Sequence, residues 1–460
     1  MKRNQPWLYI TIMVLLAGVV TLTGCGTVIT KADPVTLTLW HVYGEQTDSP
    51  LNDLVDEFNE TVGAEKGIKI EVTMVSNTNS VHEAVLRAAK GEPGSGNLPD
   101  LFVSYPKTVL AMDNPEILID FKDYFHDDEL SAYIPSFLEE GEIDHRLVVF
   151  PTAKSTEIMF INKTLFDRFA EDTGAMIDQL NTWEGLFALS KNYYQWTDAQ
   201  TPDIPHDGKA FFVHDYHFNY FQTGVKSLGK DFFVNDSVYF GDAFSKVWEP
   251  YADAAVQGGV WLQDGYATEP LRTADAIVSV ASSASVLYYE NIVTYADNRS
   301  EPIEIIARPV PYFTDGQKLV IQRGAGICAV KSTPEKEKKA VAFVKWLTNP
   351  QINNRFVTSL GYMPVTTEAF DLLPDYIGNL RDDKYRSLYE AYLQTQKEYT
   401  FYTAPQMTNY LELEQSFEKN VRSKLRMANT SWKNGERDVK ALKSQAMMNL
   451  EVSLPQQESG

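Results

Sequence analysis

Aromatic rings and hydroxyl groups are concentrated at the ends of several stretches whose composition predicts β-strands. A binding site for a sugar or another polyol needs both kinds of group, because flat rings cover the C–H faces of the ligand while fixed donors and acceptors replace water at each hydroxyl. A buried polar group left without a partner costs about 1–3 kcal/mol, so such a site discriminates between ligands. The candidates that follow predicted strands are Trp40, His41, Tyr43, Ser104, Tyr105, Ser282 and Ser283.

Structural alternatives exist for these candidates. Trp40 and His41 would also suit a core tryptophan beside a hydrogen-bonded histidine. Ser282 and Ser283 would equally suit helix N-caps. The two roles of the serines are compatible, because helix N-termini also bind anions.

Arg323 and Gly324 have the most direct binding chemistry. Glycine lets the backbone approach a ligand closely, and arginine holds a phosphate through two parallel hydrogen bonds. The alternative is a surface arginine beside a turn. Tyr288 indicates either a ligand contact or helix packing, and Gly361-Tyr362 indicates either a cleft wall or packing between lobes.

A second aromatic segment contains two histidines. His214 and His217 could chelate a metal if they lay on one helix, but two imidazoles alone are an incomplete zinc site, and the sequence offers no evident third ligand. Stacking on a ligand by Tyr216 or Phe218 is the favoured interpretation of this segment. We therefore expect no metal and no cofactor.

The sequence lacks the common catalytic motifs. It contains no Gly-x-Ser-x-Gly elbow, no Walker A loop and no His-Glu-x-x-His pair. Its 62 Asp and Glu residues could supply the two carboxylates of a glycosidase, but the geometry of such a pair cannot be read from a sequence. We expect a binding protein, with a secreted glycoside-active enzyme as the less favoured alternative.

The elements that must position these residues alternate between strand and helix. Apolar, β-prone stretches at 35–40, 68–75, 101–103 and 274–279 predict strands. Helical spacing and capping residues predict helices at 81–90, from Trp183, from Pro334, and over 410–427 and 437–450. This alternation predicts α/β lobes with largely parallel sheets. The chain exceeds one ordinary domain, so we expect two lobes.

The first residues predict export. Two basic residues precede an apolar run that ends in Leu-Thr-Gly-Cys at residues 22–25, and this order is typical of a secretory signal. The Leu-x-Gly-Cys ending resembles a bacterial lipobox, which implies removal of residues 1–24 and two acyl chains on Cys25, enough for stable anchoring. The alternatives are an uncleaved signal anchor and a plain secretory signal.

The chain is acidic, with a formal net charge of −21 at pH 7. This charge argues against a nucleic-acid partner, which requires a basic face. The only cysteine besides Cys25 is Cys328, which lies in an apolar run and is expected to be a small buried hydrophobic side chain. A chain of this length can bury a large core without disulfides.

Seven stretches, taken in order, resemble the bacterial extracellular solute-binding proteins of family 1. Each stretch alone is a weak signal, whereas seven in the same order and at similar spacing are a strong one. The stretches are LTLWH at 37–41, DEFN at 56–59, LPDL at 98–101, IMFINKTLF at 158–166, TWE at 182–184, VKWLTNP at 344–350 and GYMPV at 361–365.

The resemblance implies a type II periplasmic-binding-protein-like fold, in which two α/β lobes joined at a hinge close on a ligand in the cleft between them. It implies one lobe at 35–150 plus 302–348 and another at 151–301 plus 349–454, with a lipid-anchored tether at 25–34 and a disordered tail at 455–460. The chain would then be a monomer at the outer face of the bacterial cytoplasmic membrane.

The same resemblance implies a transport role. The protein would deliver a small polar solute to the membrane subunits of an ABC importer. The alternatives are a binding lipoprotein that feeds a sensor and one that binds a metal.

Within this family, the likeness is greatest to proteins that bind glycerol 3-phosphate and glycerophosphodiesters, on the basis of residues 40–41, 281–285 and 361–367. It implies ligand contacts at Ser155, Asn77 and Tyr402. Asn77 aligns near a Tyr-Glu pair of those proteins, and the segment around Tyr402 lacks their anion-binding arginine. The ligand therefore stays open between a carbohydrate, a polyol and a glycerol phosphodiester.

Overall fold

The computed structural model describes residues 33–43, 49–75 and 78–455. Several predictions lie outside the described residues: the signal segment, the lipid-modified Cys25, most of the tether, Asn77, and the tail beyond residue 455. Within the part that is described, none of the helices combines the length and the apolar character needed to cross a membrane.

The strands are β1 Val35–His41, β2 Ile68–Met74, β3 Leu101–Ser104, β4 Glu142–Ile143, β5 Arg146–Leu147, β6 Phe150–Pro151, β7 Ser155–Asn162, β8 Phe212–His214, β9 Phe233–Val234, β10 Ser237–Val238, β11 Val278–Ser282, β12 Ile292–Thr294, β13 Ser300–Pro302, β14 Ile305–Pro309, β15 Leu319–Arg323, β16 Gly326–Ala329 and β17 Thr400–Tyr402. The helices are α1 Pro50–Glu60, α2 Val62–Lys66, α3 Thr78–Lys90, α4 Pro106–Leu110, α5 Asp127–Leu130, α6 Pro135–Gly141, α7 Lys163–Thr173, α8 Trp183–Asp198, α9 His217–Ser227, α10 Asp242–Val256, α11 Thr268–Arg272, α12 Pro334–Leu347, α13 Pro350–Thr358, α14 Thr367–Ile377, α15 Asp383–Glu398, α16 Tyr410–Lys433 and α17 Val439–Ser453.

Local signals explain several of these boundaries. The Thr182 hydroxyl accepts a hydrogen bond from the Gly185 amide at the start of α8, and Thr333 caps α12 with Pro334 in its first turn, which confirms both predicted helix starts. The strand predicted at 274–279 was misplaced. Ala274 has a φ of 57° in the turn after α11, and the strand begins at Val278.

The first sheet has the order β2-β1-β3-β16-β6. Strand β1 runs parallel to β2 and β3, while β16 is antiparallel to β3 and β6. The prediction of largely parallel sheets therefore holds for β1–β3 but is wrong for the second sheet, where β7 is antiparallel to β11, β14 and β15. The side chains of Leu37 and Leu39 are buried and those of Thr36 and Thr38 are exposed, as expected for a strand with one face on a core. Cys328 in β16 is also buried, as predicted.

The second sheet has the order β17-β15-β7-β11-β8, with β14 also paired to β7. All eight residues of β7 are buried, which fits a central strand covered on both faces and explains its continuous apolar run. The two sheets form separate α/β lobes, so the expected fold class is confirmed by this arrangement.

The chain passes between the sheets at three places, and two of them lie later than the sequence suggested. The first crossing is the segment 152–154, between β6 and β7. The second lies at Gly324-Ala325 and not near residue 301, because β14 and β15 pair with β7 in the second sheet. The third follows α13 and not residue 349, because α13 packs on α1 of the first lobe.

Candidate functional site

A cavity lies between the two lobes, and its walls follow the ends of strands from both sheets. From the first lobe, the segment from Tyr105 to Lys107 comes directly after β3. From the second lobe, Tyr216 comes shortly after β8, Arg323 ends β15, and the segment 403–406 follows β17. About 100 Å³ of the cavity is accessible to a water-sized molecule.

Side chains of both lobes contribute to the lining, and they combine aromatic rings with hydrogen-bonding groups. The lining residues are Tyr105, Pro106, Lys107, Leu110 and Glu140 in the first lobe, Gly324 at the second crossing, and Tyr216, Asn219, Ile321, Gln322, Arg323, Thr403, Ala404, Pro405, Gln406, Tyr410 and Glu414 in the second lobe.

Arg323 is held in the cavity wall by one ring contact and one long hydrogen bond. Its guanidinium carbon lies 4.3 Å from the centre of the Tyr216 ring, and Nη1 lies 3.5 Å from Glu157 Oε1, at the outer limit for a hydrogen bond. One fifth of the side chain is exposed. A guanidinium has five N–H donors, so Arg323 retains donors for the oxygens of a ligand.

Glu157 lies beneath Arg323 and is fully enclosed by the second lobe. Asn219 Nδ2 donates a hydrogen bond to Glu157 Oε1 at 2.7 Å. Burial raises the pKa of Glu157 to about 7, while the positive charge of Arg323 acts against that rise. The carboxylate therefore fixes the orientation of two cavity-lining side chains, Arg323 and Asn219.

The two histidines of the predicted chelating pair lie deeper, below the cavity. His214 ends β8 and His217 begins α9, so the two do not share a helix. His217 Nδ1 lies 3.2 Å from Glu418 Oε2, and burial lowers the pKa of both histidines well below 6.5. Among the described residues, no group of three or more His, Cys, Asp or Glu side chains could hold a metal ion.

Lys107, the other cation that lines the cavity, and Lys154 at the first crossing are both paired with carboxylates. Lys107 of the first lobe forms an ion pair with Glu414 of the second. Lys154 Nζ, at the first crossing, lies 2.5 Å from Glu140 Oε2, and Gln322 donates a hydrogen bond to the same oxygen. These pairs supply fixed donors and acceptors on a surface whose charges are locally balanced.

Four of the predicted site residues line the cavity together: Tyr105, Tyr216, Arg323 and Gly324. Ser155 is buried and pairs in register with Arg323. Tyr402 is partly buried at the end of β17, opposite Ile321.

His41 and Tyr43 lie in the core of the first lobe and do not line the cavity. His41 is fully buried, with Nε2 3.1 Å from Asn52 Oδ1 and Nδ1 accepting from the Tyr43 amide. The structure therefore has the hydrogen-bonded histidine that was the alternative interpretation. Trp40 is partly buried against the apolar residues around α3, and Ser104 is buried.

The other predicted residues surround the third crossing. The Tyr392 hydroxyl donates hydrogen bonds to the Ser283 hydroxyl and to the Gly361 carbonyl. Tyr362 packs edge to face against Tyr43, with ring centres 5.5 Å apart. Ser282 is partly buried at the end of β11, whereas Tyr288 is 45% exposed.

Eight polar lining residues were missed by the sequence analysis. Glu140, Asn219 and Gln322 come from helices or strands whose polar side chains look like ordinary surface residues. Tyr410 and Glu414 belong to a long helix that contains no predicted site residue. The positions of Lys107, two residues after the candidate Tyr105, and of Thr403, directly after the candidate Tyr402, could have signalled a role. The missed residues are Lys107, Glu140, Asn219, Gln322, Thr403, Gln406, Tyr410 and Glu414.

Comparison with known proteins shows the family of the chain. The family model described as bacterial extracellular solute-binding protein matches residues 53–379. A search of curated protein sequences found no match.

Solved structures with similar folds are numerous. The cyclic α-maltosyl-1,6-maltose binding protein from Arthrobacter globiformis is 18% identical, with a TM-score of 0.64 over 91% of this chain and 99% of that chain. UgpB from Mycobacterium tuberculosis, in complex with glycerophosphocholine, is 17% identical, with a TM-score of 0.66 over 91% and 98% of the two chains. The maltose-bound MalE3 of T. maritima is 15% identical, with a TM-score of 0.62 over 90% and 99%. These likenesses show a two-lobe, type II periplasmic-binding-protein-like fold.

Proposed function

Because the chain belongs to the family of bacterial extracellular solute-binding proteins, we propose that it captures a small polar solute outside the cytoplasm and delivers it to an ABC importer. The observation that carries this proposal is the cavity between the lobes, to which both lobes contribute rings and hydrogen-bonding side chains. A ligand held there contacts the two lobes at once. We propose no catalytic activity for the chain.

Closure around the ligand provides the mechanism. Contacts from Tyr105 and Lys107 on one side and from Tyr216 and Arg323 on the other are available together only when the lobes are close. A ligand that makes both sets of contacts binds the closed form more tightly and shifts the population toward it. The closed form is the one that docks on the membrane subunits of the importer.

The proposed ligand is a carbohydrate, a polyol or a glycerol phosphodiester. The tyrosine rings at 105, 216 and 410 suit the C–H faces of a sugar or glycerol unit, and the free donors of Arg323 suit hydroxyl or phosphodiester oxygens. Of the similar structures, one is a maltosyl-maltose binding protein and another holds glycerophosphocholine. The paired charges at Lys107 and Lys154 favour a ligand with little net charge.

Sheet membership supports revised lobe limits. We propose that the first lobe comprises residues 33–151 and 326–358, and the second comprises 155–323 and 383–455, with the three crossings and α14 between them.

We also propose that Cys25 carries a lipid anchor, which holds a monomeric protein at the outer face of the cytoplasmic membrane. Mass spectrometry of the N-terminal peptide tests the anchor.

A thermal-shift screen of the purified protein tests the function. The panel contains linear and cyclic maltooligosaccharides, polyols and glycerophosphodiesters. A ligand at a hundredfold excess over its Kd stabilises the fold by about 2.7 kcal/mol, so at least one class is expected to raise Tm by several degrees. No stabilisation by any member, together with hydrolysis of one of the glycosides, would contradict the proposal and favour an enzyme.

A further inference from the structure

The lobes are joined by polar contacts outside the three crossing segments. Lys107 is on α4 of the first lobe and Glu414 is on α16 of the second, and their side chains form an ion pair. The pair is well shielded, because the Lys107 side chain is 20% exposed and that of Glu414 only 9%. Shielding from water and salt strengthens such a pair relative to one on an open surface.

A second contact lies on the same side of the cavity. Gln406 Nε2, in the loop after β17, donates a hydrogen bond to the backbone carbonyl of Glu142 at 2.5 Å. The segment 403–414 therefore runs along one wall of the cavity and contacts the first lobe at two points, although it belongs to the second.

These contacts differ from those at the crossings. The crossing segments, such as 152–154 and 324–325, keep their positions relative to both lobes when the lobes rotate. Lys107 and Glu414 lie on helices beyond the crossings, so rotation of one lobe away from the other separates them. Their attraction is therefore available only to the closed arrangement.

We propose that the Lys107–Glu414 ion pair, supported by the Gln406–Glu142 hydrogen bond, is an interlobe latch that sets the affinity for ligand. The inference rests on the proposed function, since it assumes that closure accompanies binding. Part of the free energy of closure comes from the chain itself, so the ligand has to supply less. The two residues act as positioning residues, because they determine how often the binding-competent form is populated.

The latch has a measurable effect on affinity. The apparent Kd equals the intrinsic Kd divided by the fraction of binding-competent protein. Loss of a partly shielded ion pair is expected to raise the apparent Kd about three- to tenfold. High salt is expected to produce a smaller change in the same direction.

The test compares Lys107→Met, Glu414→Gln and the charge-swapped double variant Lys107→Glu/Glu414→Lys with the unmodified protein. Small-angle scattering without added ligand gives the radius of gyration. We expect a larger radius for both single variants and a return toward the original value for the swapped pair. Lys345→Met is the matched control, because it breaks an ion pair with Glu129 within the first lobe and leaves the radius unchanged.

Melting temperatures separate opening of the lobes from loss of folding. A single variant that expands without a fall in Tm, and is compacted again by the swap, supports the latch. Equal radii for all variants, or a swapped pair as expanded as the single variants, would overturn it. Because the radius is measured without ligand, a negative ligand screen counts against the proposed function and not against the latch.

Discussion

Arg323→Lys is expected to weaken ligand binding about 10- to 100-fold, because hydrogen bonds to a charged group contribute about 1.5–3 kcal/mol. Lysine keeps the positive charge above Glu157 but loses the planar guanidinium that stacks on Tyr216 and that can bind two ligand oxygens at once. Titration calorimetry with the ligand found in the thermal screen measures the change.

The control for this variant is Arg308→Lys. Arg308 is also mostly covered, with 27% of its side chain exposed, but its Nη2 bonds Asp178 and Asn181 and it does not line the cavity. We expect unchanged affinity for Arg308→Lys. An unchanged affinity for Arg323→Lys as well would remove Arg323 from the binding site.

Gly324→Ala is expected to destabilise the fold by about 2–4 kcal/mol, through backbone strain and a clash between crossing segments. Gly324 has a φ of 106°, and a Cβ there would lie 2.8 Å from Lys154 Cα and from the Ser155 amide nitrogen. These are backbone atoms of the first crossing and of the first residue of β7, and backbone cannot give way as a side chain can. Urea unfolding followed by circular dichroism measures the loss.

Gly435→Ala separates the cost of backbone strain from the cost of the steric clash. Gly435 has almost the same φ, 108°, but no atom within 4 Å of an added Cβ. We expect only the cost of strain, about 1–2 kcal/mol. Equal losses at the two positions would contradict close contact between the crossing segments at Gly324.

Local chemistry made much of this fold predictable from the sequence. The β-prone run at 35–40, the threonine before Trp183 and the Thr333-Pro334 pair each determine their element through contacts within a few residues. The strand–helix alternation likewise predicted the α/β lobes. Strand β7 was not predicted, although the stretch 158–166 carries part of the family resemblance, since a continuous apolar run alone does not distinguish strand from helix.

The lobe boundary near residue 301 could not be derived in this way. It depends on whether β14 and β15 pair with β7, and that pairing joins residues more than a hundred positions apart. The composition of the cavity wall could not be predicted for the same reason, because it also depends on contacts between residues that are distant in sequence. Glu414 looks like a solvated residue of a long helix, and only the tertiary structure brings it to Lys107.

His41 shows the limit of inference from residue type. Its place at the end of a strand suited a ligand contact, but its burial and its bond to Asn52 make it part of the core. Burial also lowers its pKa to about 4, so it is neutral at physiological pH. Arg323 lies at a similar strand end, but the chain crosses to the first lobe directly after it. Its guanidinium therefore lies at the cavity between the lobes.

Hydrogen–deuterium exchange with and without the bound ligand tests most directly whether a solute is held by both lobes at once. The account predicts slower exchange in the ligand complex at residues 105–110 of the first lobe and also at 216–224 and 403–410 of the second. Slower exchange confined to one lobe, with a ligand shown by calorimetry to bind, would contradict it.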